Sequence, residues 1–156
     1  MAKQKAKGLS TTAKKWLIGI GIGAMVLVIG AMGVKLSKLD KTEQLSAAFG
    51  YEQGLLSDTD GEEVKGTTSI RSKDYISVDG FTADLKEDAS IVYKLFFYGE
   101  ENVFISATQE LSVDYSGEIP EGAESVRVMI TPTNDPEVSA LEMAGYASQL
   151  TVEWNK

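Results

Sequence analysis

The chain has 156 residues, a formal net charge of −8, and neither cysteine nor histidine. Without cysteine no disulfide can staple it, and without histidine it lacks the usual general base near neutral pH, the Ser-His-Asp arrangement and the commonest zinc ligand. An enzyme is therefore not expected, and the acidic balance points away from nucleic acid as a partner.

Residues 1–15 read as a basic tail, with Lys3, Lys5, Lys7, Lys14 and Lys15. The next nineteen residues, Trp16 to Val34, carry no charge at all. As a helix they would cover about 28 Å, close to the hydrocarbon thickness of about 30 Å, so residues 16–34 are expected to span a membrane. Lys35, Lys38 and Lys41 follow the span. The richer lysine side stays in the cytoplasm, which places the tail inside and the rest of the chain outside the cytoplasm. Bilayer lipid is thus the first expected partner. A cleaved secretory signal is the rival reading, because Ala31 and Gly33 imitate a signal-peptidase site. The length of the apolar stretch favours an uncleaved signal-anchor. Gly19, Gly23, Gly30 and Gly33 recur on one face of this helix, spaced as in helices that pack closely, so self-association through that face is a second expected contact.

Charge divides the chain as sharply as hydropathy. Residues 1–41 hold eight of the 15 basic residues and one of the 23 acidic ones, leaving seven against 22, a net of −15, for the remainder. Residues 35–65 read as a juxtamembrane helix followed by an acidic linker. Asp40 and Glu43 fit a capping box, and the run SDTDGEEVKGTTS from Ser57 is rich in linker residues. Asp58, Asp60 and Glu62, alternating around Gly61, resemble part of a calcium loop but lack its third Asp and distal Glu. A solvated linker is the stronger expectation, and no cofactor is expected.

Residues 66–156 change character to short β-branched and aromatic runs separated by turn signals. The expected strands are 75–78, 81–85, 90–98, 103–107, 111–115, 125–131 and 147–154. Asp79-Gly80 is a hairpin-turn signal, Gly99 and Asn102 bracket another turn, and Pro120 to Gly122 lead into the next strand. NDPEVSALEMAGY reads as a loop or one helical turn. Seven strands without a long helix predict an all-β, antiparallel two-sheet sandwich, immunoglobulin-like or jelly-roll-like. In 90–98, Ile91, Tyr93, Leu95 and Phe97 share one side. In 125–131, Val126, Val128 and Ile130 oppose Arg127 and Met129. One face is therefore core and the other wetter. Tyr98, Arg127 and Trp154 are the candidate ligand-binding side chains, by aromatic stacking and guanidinium hydrogen bonding; packing in the core or rim is the competing role.

The order of KDYISVDGF, VYKLFFYGEENVFIS and IPEGAESVRVMI resembles the galactose-binding-like, carbohydrate-binding-module type of jelly roll. It is also similar to small exported domains of Gram-positive bacteria and their phages. The resemblance covers about residues 70–154 and implies Tyr98 and Arg127 as family-like strand positions. It implies a non-catalytic extracellular module for carbohydrate or envelope polymer. A structural protein of an envelope complex or phage virion is the other expectation. No sorting motif ends the chain, and there is no cysteine for lipidation.

Overall fold

The computed structural model describes residues 42–115 and 117–156. The tail 1–15, the apolar stretch 16–34 with its glycine face at Gly19, Gly23, Gly30 and Gly33, and residues 35–41 lie outside them. Among the described residues no helix is long and apolar enough to cross a membrane.

Two eight-residue strands organise the domain, and they are the segments whose sequence alternates most regularly. β8 (Ile91–Tyr98) and β10 (Ser125–Pro132), numbered in chain order, pair antiparallel from Tyr98↔Ser125 to Ile91↔Pro132. One side of the pair presents Ile91, Tyr93, Leu95, Phe97, Val126, Val128 and Ile130, all at most 2 % exposed. Burial of apolar surface at about 25 cal/mol per Å² makes this face the main source of stability. Against it packs a second, three-stranded sheet of β1 (Thr42–Gln44), β11 (Leu150–Asn155) and β7 (Thr82–Leu85), contributing Ala83, Leu150 and Val152. The fold is all-β, and every strand pair is antiparallel.

The larger sheet continues outward from β10 to β5 (Ile70–Ser72) and β2 (Tyr51–Gln53), and outward from β8 to β9 (Phe104–Ala107). β6 (Ile76–Ser77) also pairs with β10, further along the same edge as β5. β3 (Leu55–Leu56) and β4 (Glu63–Val64) form a separate two-stranded hairpin. A short helix, α1 (Met143–Ala147), precedes β11, where the sequence allowed a helical turn.

Three sequence expectations are corrected. Residues 42–65 are neither a juxtamembrane helix nor a linker: they carry β1 to β4, and the compact unit begins at Lys41 rather than at residue 66. The irregular apolar spacing there reflects strands of two or three residues, too short to display a period. Asp79-Gly80 does turn the chain, with Gly80 at φ +59, but β6 and β7 lie in different sheets, so the turn is a corner and not a hairpin. Residues 111–115 are not a strand. Leu111 bridges to Tyr93 in the larger sheet and Tyr115 to Ala83 in the smaller, so the segment crosses from one sheet to the other along one side of the sandwich.

Candidate functional site

The outer face of the β8–β10 pair carries Lys94, Phe96, Tyr98, Arg127 and Met129. The sequence marks this face as the wetter one; in the structure Phe96, Tyr98, Arg127 and Met129 are all buried. The reason is the segment 55–65, which folds over it as a strap. Leu56, 4 % exposed, packs with Phe96, Tyr98 and Met129 into a second apolar cluster. The loop between β3 and β4 crosses Tyr98, whose hydroxyl donates to Gly61 O at 2.7 Å. Burial pushes the Tyr98 phenol above its ordinary range, with Arg127 opposing.

Gly61, at φ +69, explains the glycine of the calcium-like run. A Cβ there would meet Phe104 Cδ2 at 2.5 Å and the Tyr98 ring at 2.8 Å, so only glycine lets the strap lie this close. The acids around it are occupied otherwise. Asp58 pairs with Lys94 at 2.5 Å. Asp60 accepts the Glu62 N–H at 3.1 Å and, with the Ser57 hydroxyl as the larger influence, its carboxyl sits below the usual range. Among the described residues no three carboxylates converge where a metal ion would sit.

Arg127 and Arg71 are the centre of the face. Between β5 and β6 the chain leaves the ladder along β10, freeing backbone carbonyls inside the domain. Arg127 binds them, donating to Ser72 O through Nε at 3.1 Å and Nη2 at 2.5 Å. The Ser72 hydroxyl completes the repair by accepting the Val128 N–H at 3.1 Å. A buried backbone group left unpaired costs as much as a lost hydrogen bond, so these side chains serve the gap in the sheet. Arg71 spans the other side, donating to Leu55 O and Val64 O at 2.8 and 3.3 Å and pairing with Glu52 at 2.9 Å. One carboxylate joins the two cations: Glu63 lies 2.8 Å from Arg71 Nη2 and 2.9 Å from Arg127 Nη1.

Tyr98 and Arg127 are thus brought together, edge and face against Tyr75, whose ring is 4.9 Å from Tyr98 and 5.3 Å from the Arg127 guanidinium. They face inward, however, at 2 % exposure each, and cannot line an open ligand surface. Trp154 is on the smaller sheet, beside Glu43 in the ladder and packed against the main core. The three candidate residues do not form one site.

Sequence reasoning missed the concave surface at one end of the larger sheet, where β8 turns into β9. An open groove of about 500 Å³ is lined by Gly99, Glu100, Glu101, Val103 and Ile105. Its shape comes from the turn and from a bulge. Glu101 and Asn102 both take left-handed conformations, φ 56 and 59, and the register slips between Phe97 and Tyr98 opposite β9. Val103 is 64 % exposed and Ile105 39 %. The loop before β10 lies alongside, with Gly122 O 2.9 Å from where a Gly99 Cβ would stand. The only sequence signal was the pair of valine and isoleucine beside two glutamates, which reads equally well as an ordinary strand end.

No family model, curated protein or solved structure matches this chain.

Proposed function

We propose that this chain is a single-pass membrane protein whose β-sandwich, displayed outside the cytoplasm, works by binding and not by catalysis. The apolar stretch 16–34 and the lysine asymmetry around it support the anchor. The observation that carries the binding role is the open groove at the β8–β9 end: an apolar floor and a polar rim on loops held by a packed two-sheet scaffold, where binding residues commonly sit. The buried face with Tyr98 and Arg127 works for stability.

The ligand we favour belongs to the cell envelope, a carbohydrate or peptide-bearing polymer of neutral or positive charge. Three of the seven cations of residues 42–156, Arg71, Lys94 and Arg127, are paired with Glu52, Asp58 and Glu63, so the remaining groups carry the whole net of −15 with only four cations among them. A polyanionic polymer is repelled by such a surface. The finer jelly-roll and galactose-binding-like reading rests on the order of the runs KDYISVDGF, VYKLFFYGEENVFIS and IPEGAESVRVMI.

The test is retention of fractionated envelope polymers on the full chain in lipid nanodiscs, paired with protease shaving of intact cells. Retention of a neutral or amine-bearing polymer, with the β domain removed by external protease, is expected. Retention of none, or a domain protected from protease, refutes the reading.

A further inference from the structure

The two loops beside the β8–β9 groove carry charges of one sign. Loop 99–103 carries Glu100 and Glu101, the neighbouring loop 117–124 carries Glu118, Glu121 and Glu124, and neither contains a lysine or arginine. Glu100, Glu101, Glu121 and Glu124 are exposed, and among the described residues none is in an ion pair. This contrasts with the strap, where Glu52, Asp58 and Glu63 are each matched to a cation. Beside the unmatched carboxylates lie the exposed side chains of Val103 and Ile105. An apolar floor next to unneutralised carboxylates complements one common group: a primary ammonium on an aliphatic stem, whose methylenes cover apolar surface while the charge reaches the rim.

We propose that this groove docks an extended peptide segment of a partner through a lysine side chain, the stem lying on Val103 and Ile105 and the ammonium meeting Glu100 and Glu101. The proposal rests on the binding role given above and names the ligand chemistry of the same groove. The charge steers the encounter and the apolar floor selects a lysine over a bare cation. Because the carboxylates are solvent-exposed, the affinity is modest and falls with salt.

The experiment uses the full chain in nanodiscs and fluorescence anisotropy of a short dye-labelled peptide with one lysine among valines and threonines. Two comparison peptides replace that lysine by norleucine or by glutamate. Saturable binding of the lysine peptide is expected, weakened about tenfold or more by norleucine, the equivalent of about 1.4 kcal/mol, and abolished by glutamate. Glu100→Gln with Glu101→Gln should weaken it by a similar factor, and Val103→Ser by a few-fold. The double change Glu87→Gln with Asp88→Gln removes the same charge from an exposed turn elsewhere and should leave affinity within about twofold. Equal affinity for the norleucine peptide overturns the lysine assignment. Equal weakening by both double changes overturns the groove, since diffuse attraction to an acidic domain then accounts for binding. Retention of a neutral glycan with no peptide binding refutes this proposal and leaves the binding role standing; retention of neither refutes both.

Discussion

Replacing Glu63 by Gln removes the one anion shared by two buried guanidiniums while keeping the side chain's shape. The Glu63 carboxylate accepts from Arg71 at 2.8 Å and from Arg127 at 2.9 Å. After the change Arg71 retains Glu52 and two carbonyls, but Arg127, 2 % exposed, loses the one carboxylate it meets among the described residues. Breaking a fully buried ion pair costs about 3–5 kcal/mol, and an exposed one is worth about 0.2–1 kcal/mol. The Glu63 side chain is 52 % exposed, so solvent shares the load and the loss should fall between these limits, at about 2 kcal/mol.

The assay is equilibrium urea unfolding of residues 41–156, which carry their own core. With a slope of about 1–3 kcal/mol per M, the midpoint should fall by about 1 M at constant slope. Glu52→Gln is the internal control: it touches Arg71 alone, which keeps Glu63, and should cost about 0.5 kcal/mol. Hydrogen exchange should locate the loss in 55–65, leaving β8 and β10 protected. If the two variants lose the same stability, or if Glu63→Gln loses less than about 0.5 kcal/mol, the shared carboxylate does not hold the strap and Leu56 packing does.

Three further outcomes follow from the same geometry. Gly61→Ala should destabilise by about 2 kcal/mol or more, since it adds a Cβ inside van der Waals contact of Tyr98 and Phe104 at a left-handed φ; urea unfolding measures it. Glu101→Gly should stabilise by about 1 kcal/mol by relieving the left-handed backbone at φ 56, a gain readable in the thermal midpoint. Burial raises the pKa of Tyr51, Tyr93 and Tyr98 in the folded state. Neutral tyrosine is thus favoured by folding: the stability it brings is complete below the unfolded value of about 10 and is lost as pH rises above it. Tyrosinate absorbance and circular dichroism should therefore change together in one alkaline transition; early, independent titration of these three phenols would contradict their burial.

The main core was legible because its strands are long. In β8 and β10 the alternation runs through eight residues, enough to separate a face of Ile, Tyr, Leu, Phe and Val from one bearing Lys94 and Arg127. The turns at Gly80, at 99–102 and at 120–122 were legible through Gly80, Asn102 and Gly122, which take left-handed conformations that favour glycine and asparagine. β2, β3 and β4 were not legible: two or three residues carry no period, and an acidic, glycine-bearing run reads as solvent-exposed. The corner at Gly80 and the crossing at 111–115 failed for a different reason. Local sequence specifies that a chain turns or extends, but which sheet it joins depends on partners far along the chain.

The candidate site was misread through the same omission, and the sequence did contain the missing signal. Phe96 and Tyr98 alternate with Leu95 and Phe97, so the second face of β8 is too apolar to meet water and must be covered. Arg127, between Val126 and Val128 on the neighbouring strand, lies under that cover and needs an anion there, since a buried guanidinium does not lose its charge. Another cation on a strand, Arg71, poses the same demand. The densest supply of carboxylates is 52–63, with Glu52, Asp58, Asp60, Glu62 and Glu63. Two buried arginines and an acidic run are therefore one requirement expressed in two places. Asking each strand-borne arginine for its carboxylate moves the domain boundary from residue 66 toward Lys41, where the structure has it. It also removes Arg127 from the ligand surface, leaving as the open candidate the groove where Glu100 and Glu101 stand beside Val103 and Ile105.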